Sequence, residues 1–166
     1  MRAPSTNRTV TDRAYAPSDR DACLALLDGN SPTFFTTSDH TMFEAFLADL
    51  AVAWGYRVLE RDGRLVACGG CTVEAGGTTA GFCWGIVDRS LQGTGLGTQL
   101  TEMRLRAAAA IPGVTRVRLD TSQLTQGFYA RFGFRPVRVT PDGYGPGLDR
   151  WDMVLTLDDD HRLRRG

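Results

Sequence analysis

The chain has 166 residues, 42% of them hydrophobic and 23% charged, the balance of one globular domain with a real core rather than of a disordered segment. Nineteen basic side chains offset nineteen acidic ones, so whole-chain electrostatics give no support to nucleic-acid binding. Every basic residue is an arginine, which excludes a lysine Schiff base and the lysine of a Walker phosphate loop.

Met1–Arg13 is polar and lacks the apolar run of a secretory signal, and no stretch is apolar for the length of a bilayer. A cytoplasmic protein without a membrane partner is the expectation. Residues 1–9 read as a flexible leader, 10–157 as one domain and 158–166 as a charged flexible tail.

Val10–Ala16 has the pattern of a first strand. Ser18, three residues before Asp21, signals a helix start, and Cys23, Leu24, Leu26 and Leu27 give that helix an apolar face. Gly29-Asn30-Ser31-Pro32 stops it. A second helix begins near Ser38, with Met42, Phe43, Phe46, Leu47 and Leu50 at core spacing. Tyr56–Arg61 and Arg64–Val73 flank the Asp62-Gly63 turn as a hairpin, and Ala80–Val87 adds a third strand after Gly76-Gly77.

Cys68-Gly-Gly-Cys71 has the spacing of a redox or zinc motif. It sits within a strand pattern, however, and has no further ligands nearby, so buried structural thiols and no metal are expected.

Gln92-Gly93-Thr94-Gly95-Leu96-Gly97 opens a helix in which Leu96, Leu100, Met103 and Ala107 share a face. Ile111-Pro112-Gly113 ends that helix. Val114–Asp120 then reads as a strand, Leu124–Phe132 as a short helix and Phe134–Val139 as a strand. Pro141–Gly147 reads as a loop and Trp151–Leu157 as the last strand. A glycine-rich loop entering a helix presents free N–H groups and the positive end of the helix dipole, a combination suited to phosphate. The dinucleotide fingerprint would need glycine at Thr98 and an earlier place in the sheet.

Gln92, Gly95 and Gly97 resemble the Gln/Arg-x-x-Gly-x-Gly/Ala motif of the GNAT N-acyltransferases. Phe128-Tyr129-Ala130-Arg131-Phe132-Gly133-Phe134 resembles the family's tyrosine-bearing helix and the Gly-Phe that follows it. The resemblance implies an α+β fold with a mixed, mostly antiparallel sheet of seven strands, flanked by about four helices and splayed at its centre for the cofactor. Acetyl-CoA is the implied co-substrate, a small-molecule amine the implied acceptor, and a homodimer is compatible with the family.

Within that frame the pyrophosphate rests on Gly93, Thr94, Gly95, Leu96, Gly97 and Thr98, with Gln92 beside it. The pantetheine arm follows the backbone of Gly85, Ile86 and Val87. Where many members have asparagine, seven residues before Tyr129, this chain has Ser122, and neighbouring Gln123 is an alternative contact. Tyr129 is the implied proton donor to the leaving thiolate. No acid lies on Thr78–Val87, so Asp120 is the nearest candidate base, with helix capping as its alternative role. Phe35, His40, Trp84 and Tyr144 are candidate acceptor contacts, although aromatic residues at such places also serve packing. A protein or peptide N-terminal acetyltransferase and a non-catalytic acyl-CoA sensor are the competing readings.

Overall fold

The computed structural model describes residues 9–159 and 161; the expected leader over residues 1–8 and most of the expected tail lie outside the described residues. Regular structure runs in the order β1 (Val10–Ala14), α1 (Arg20–Gly29), α2 (Thr37–Asp49), β2 (Arg57–Arg61), β3 (Arg64–Val73) and β4 (Thr79–Val87). It continues with α3 (Leu96–Ala110), β5 (Arg116–Thr121), α4 (Gln126–Ala130), β6 (Arg135–Gly145) and β7 (Leu148–Thr156). Among the described residues the strands form one seven-stranded sheet in the order β1-β2-β3-β4-β5-β7-β6. All its pairings are antiparallel except β4 with β5, which the α3 crossover makes parallel.

The two faces of the sheet bury different cores. Cys23, Leu27, Phe43, Phe46, Tyr56, Val58, Cys68 and Ile86 pack together on the face covered by α1 and α2. On the other face Leu96, Leu100 and Met103 of α3 pack against Leu59, Val66 and Ala67, while Val117, Leu119, Phe134, Met153 and Leu155 continue the layer. Cys68 belongs to the first core and Cys71 packs against the second, so the pair points to opposite faces of β3.

Several local expectations are corrected. Ser18 does not cap α1: it lies in a 3-10 turn, Pro17–Asp19, whose Asp19 carboxylate accepts from the Ala16 N–H at 2.9 Å and from Arg13 at 2.8 Å. Met42 and Leu50 are 58% and 38% exposed, because the buried stripe of α2 is the narrower Phe43, Phe46 and Leu47, and Leu50 lies past the helix end. Ala107 is exposed, and its expected place on the inner face of α3 goes to Arg104. Pro141–Gly147 is not a loop. It is the end of a long β6–β7 ribbon that absorbs its turn residues as a bulge between Thr140 and Gly145. Pro136 and Pro141 are accommodated there because β6 is the edge strand, where a missing N–H leaves no ladder bond unmade.

β4 and β5 form a fork. They pair only at Thr79–Arg116, Ala80–Val117 and Gly81–Arg118, after which β4 runs on to Val87 and β5 to Thr121 unpaired with each other. A bulge drives β4 aside. Cys68 pairs with Ile86 and Gly70 with Cys83, which leaves an extra residue on β4 where Trp84 sits at φ 42°. The left-handed conformation is unusual for a bulky residue. It is held by the Tyr56 hydroxyl, which donates to the Trp84 carbonyl at 2.6 Å, and by the Trp84 ring stacked 4.9 Å from Phe43.

Candidate active site

The chain leaving β4 is fastened before it reaches α3. Asp88 caps a single 3-10 turn by accepting from the Ser90 N–H at 2.9 Å and the Ser90 hydroxyl at 2.6 Å, and it pairs with Arg64 at 2.5 Å. These bonds, the Ser90 hydroxyl first, hold the Asp88 carboxyl below the usual carboxylate range despite burial. The Gln92 side chain turns back and donates to Asn30 Oδ1 at 2.9 Å. Buried Asn30 in turn donates to the carbonyls of Leu26 and Val87 at 2.8 and 2.9 Å. The motif glutamine thus anchors the loop to the end of α1.

Beyond this anchor the loop is shaped by backbone conformation. Gly93 and Gly95 stand at φ 80° and 91°, Gly95 as the N-cap of α3, so glycine is needed for its torsion and not for lack of room. Gly97 matters for clearance instead. A Cβ there would lie 3.3 Å from the Phe128 ring, so glycine lets the first turn of α3 approach α4. The N–H groups of Gly93, Gly95, Leu96, Gly97 and Thr98 donate to no described main-chain carbonyl. They form a cradle at a positive helix end, which fits a pyrophosphate.

At the crotch of the fork two side chains meet on the α3 face. Tyr129 projects from α4, its ring set edge-on against Phe128 and Phe134 at 5.1 and 5.8 Å. Its hydroxyl oxygen accepts from Arg104 Nη2 at 3.2 Å. Arg104 is only 3% exposed, its guanidinium lies 4.1 Å over the Phe82 ring, and its Nε has no hydrogen-bond partner among the described residues. A Cβ on Gly85 would stand 2.7 Å from Arg104 Nη1, so this glycine lets the guanidinium lie flat against β4 at the bulge. Arg104 was missed in the sequence, although its spacing from Leu96 and Leu100 places it on the inner stripe of α3. Burial pushes the neighbouring Cys71 and Cys83 thiols up to about 11, against the opposing field of Arg104.

The opposite face of the fork holds a cleft of about 490 Å³ lined by residues that include Trp54, Glu74, Cys83, Arg118 and Asp120. Asp120 accepts a short hydrogen bond from the Tyr144 hydroxyl and lies 3.8 Å from Arg150. Burial, followed by this bond, raises the Tyr144 phenol. Asp120 and Tyr144 are therefore brought together, across the β5–β7–β6 ribbon. The turn into α4 is capped without Asp120: the Ser122 hydroxyl accepts from the Leu124 N–H at 3.2 Å. Gln123 clamps the β6–β7 ribbon, donating to the Gly147 carbonyl and accepting from the Asp149 N–H, both at 2.8 Å.

The other expected acceptor residues are dispersed. His40 bonds Asp28 at 2.7 Å on the outer surface between α1 and α2, with Glu44 at 3.7 Å. Phe35 and the Trp84 ring pack against the α1–α2 core. Gly85, Ile86 and Val87 stand on the open limb of β4, where the edge facing β5 has no ladder partner.

A forked parallel pair with a phosphate cradle at one end and a tyrosine at its crotch defines the class of acyl-CoA-dependent acyltransferases. Residues 39–136, more than half of the chain, match the family model described as acetyltransferase (GNAT) domain. The chain belongs to the GNAT acetyltransferase family. Its fold is shared with a GNAT-family protein from Desulfovibrio desulfuricans, at TM-score 0.77 and 21% identity over 89% of this chain and 99% of that one. The ribosomal-protein-S18-alanine N-acetyltransferase from Escherichia coli superimposes with TM-score 0.74 and 17% identity, covering 90% and 95% of the two chains. An aminoglycoside 6'-N-acetyltransferase complexed with coenzyme A does so with TM-score 0.71 and 17% identity, covering 88% and 96%. A search of curated protein sequences finds no match. The protein is an acyltransferase.

Proposed function

We propose that this chain moves an acetyl group from acetyl-CoA to the primary amine of a small molecule in the cytoplasm, by direct attack within a ternary complex. The observation that carries the reading is the fork, with the phosphate cradle and the Tyr129 hydroxyl on its α3 side and the cleft on its other side. Donor and acceptor reach the crotch from opposite faces, which lets the amine nitrogen approach the face of the thioester carbonyl. The cradle of the Gly93, Gly95, Leu96, Gly97 and Thr98 N–H groups holds the pyrophosphate, and the free edge of β4 at Gly85 and Ile86 pairs with the pantetheine amides. The amine nitrogen forms a bond to the thioester carbonyl carbon, and main-chain N–H groups at the β4 bulge steady the oxyanion. The C–S bond then breaks, Tyr129 gives its proton to the thiolate, and the nitrogen releases one to water or to Asp120.

The cleft of about 490 Å³ has the Glu74 and Asp120 carboxylates on its walls, Glu74 paired with Arg118 at 2.7 Å, and its size suits a compact amine. The test is thiol release from acetyl-CoA with a panel of small amines set beside peptides bearing free N-termini. Turnover with small amines supports the reading. Turnover with peptides alone would replace it by N-terminal acetylation of a peptide or protein. Binding of acetyl-CoA without turnover across both sets would leave a sensor.

A further inference from the structure

Arg104 does not suit a site built only for an acetyl group. It is the one cationic side chain among the buried described residues, and its only hydrogen-bond acceptor among the described residues is the Tyr129 hydroxyl. Face-on contact with Phe82 offers a cation–π attraction but no compensating charge, and Nε is left without a partner. An arginine keeps its charge at any ordinary pH, so it cannot escape the cost of burial by losing a proton. Buried charges are as a rule paired, and the unpaired case calls for an anion delivered from outside. Such an anion enters with the donor, because Arg104 sits beside Tyr129 and is not itself among the residues lining the cleft, although the Phe82 beneath it is.

Resting on the acyltransferase reading above, we infer that Arg104 is an acyl-selecting residue that pairs with the terminal carboxylate of a short dicarboxylic acyl-CoA, of the malonyl or succinyl class. Chain length follows from Tyr129. The Tyr129 hydroxyl, assigned above to the thioester sulfur, also accepts from Arg104 at 3.2 Å, which on that assignment puts the guanidinium little more than two contacts from the sulfur. A three- or four-carbon diacid has the length to place its terminal carboxylate at a guanidinium that close to the sulfur. The planar guanidinium offers the carboxylate a two-pronged contact that lysine could not reproduce. The carboxylate is a spectator: the bond made is still carbonyl carbon to amine nitrogen, the bond broken is C–S, and the thiolate still takes its proton from Tyr129.

The test is calorimetric binding and single-turnover transfer with acetyl-, malonyl-, succinyl- and butyryl-CoA on the full chain, wild type, Arg104→Met and Arg104→Lys. In the wild type, malonyl- or succinyl-CoA should bind at least tenfold tighter than acetyl- or butyryl-CoA, with a preference that shrinks as salt rises. Arg104→Met should bring the ratio close to one, and its Tm should not fall, since it removes a buried charge that has no counter-ion. Arg104→Lys should keep part of the preference, which makes the case testable even if the methionine variant misfolds. Equal binding of acetyl- and succinyl-CoA by wild type would overturn the selectivity while leaving the acetyltransferase intact. A dicarboxylyl preference that survives both substitutions would move it to another residue. Failure of every acyl-CoA to bind would sink the acyltransferase reading itself, and this inference with it.

Discussion

Thr98→Glu separates the stability of the phosphate cradle from its function, because the two should move in opposite directions. Thr98 is the third residue of α3, exposed, and its N–H has no main-chain acceptor among the described residues. In the free protein a carboxylate there faces the positive helix end and should stabilise the fold by about 0.3–1 kcal/mol. For a chain of this size that is a Tm higher by roughly 1–3 °C. With CoA present the same carboxylate stands near the pyrophosphate. Two phosphate charges about 5 Å away in water give about 1.7 kcal/mol of repulsion before screening. Screening leaves roughly a tenfold loss of affinity at about 10 mM salt and four- to fivefold at about 0.15 M. Calorimetry at the two ionic strengths, with thermal melts of the free and bound protein, reads all of these quantities. An unchanged Kd for CoA in a variant with a raised Tm would show that the pyrophosphate does not lie over this helix end.

Tyr129→Phe should lower kcat and kcat/KM together by about a hundredfold, as expected when a general acid is lost. It should also cost about 1–3 kcal/mol of stability, because Arg104 loses its hydrogen-bond acceptor, an effect a melt would detect. Asp88 has a depressed folded value, so its contribution is present above the ordinary value of 3.8 and is lost as pH falls through the lower folded one. CoA affinity should weaken in the same acidic window, and Asp88→Ala should be weak at every pH. Cys71 and Cys83, raised from 9.0 to about 11, should resist alkylation at pH 8 in the native protein. Their favourable contribution is complete below pH 9 and declines as pH climbs towards 11; fast labelling at pH 8 with the fold intact would contradict the burial.

Much of the architecture was legible because it is written in local rules. Asp62-Gly63 allowed one hairpin, and the α3 crossover between β4 and β5 had to make a parallel pair inside an antiparallel sheet. Gly93, Gly95 and Gly97 announced a phosphate loop, yet the structure divides their work: the first two permit left-handed torsions and the third admits Phe128. The long β6–β7 ribbon was hidden because turn residues inside a bulge look the same as turn residues in a loop.

Local chemistry alone determined that a helix N-terminus would be free to hold phosphate and that Tyr129 would follow the next strand on its own short helix. Neither property depends on distant residues. Tertiary structure decided the rest, because it concerns which groups meet across the sheet. Gln92 finds Asn30 across 62 positions, Tyr144 finds Asp120 across 24, and His40 is drawn away to Asp28. The deciding case is Arg104. In sequence it is one arginine among nineteen, on a helix whose solvent face would accept it at no cost. Packing turned it inward, onto Phe82 and Tyr129 at the base of the fork, where its charge has to be answered. A hydrophobic period specifies which face of a helix is buried. What a polar side chain encounters there depends on the strands beneath it, and β4 and β5 separate at that point.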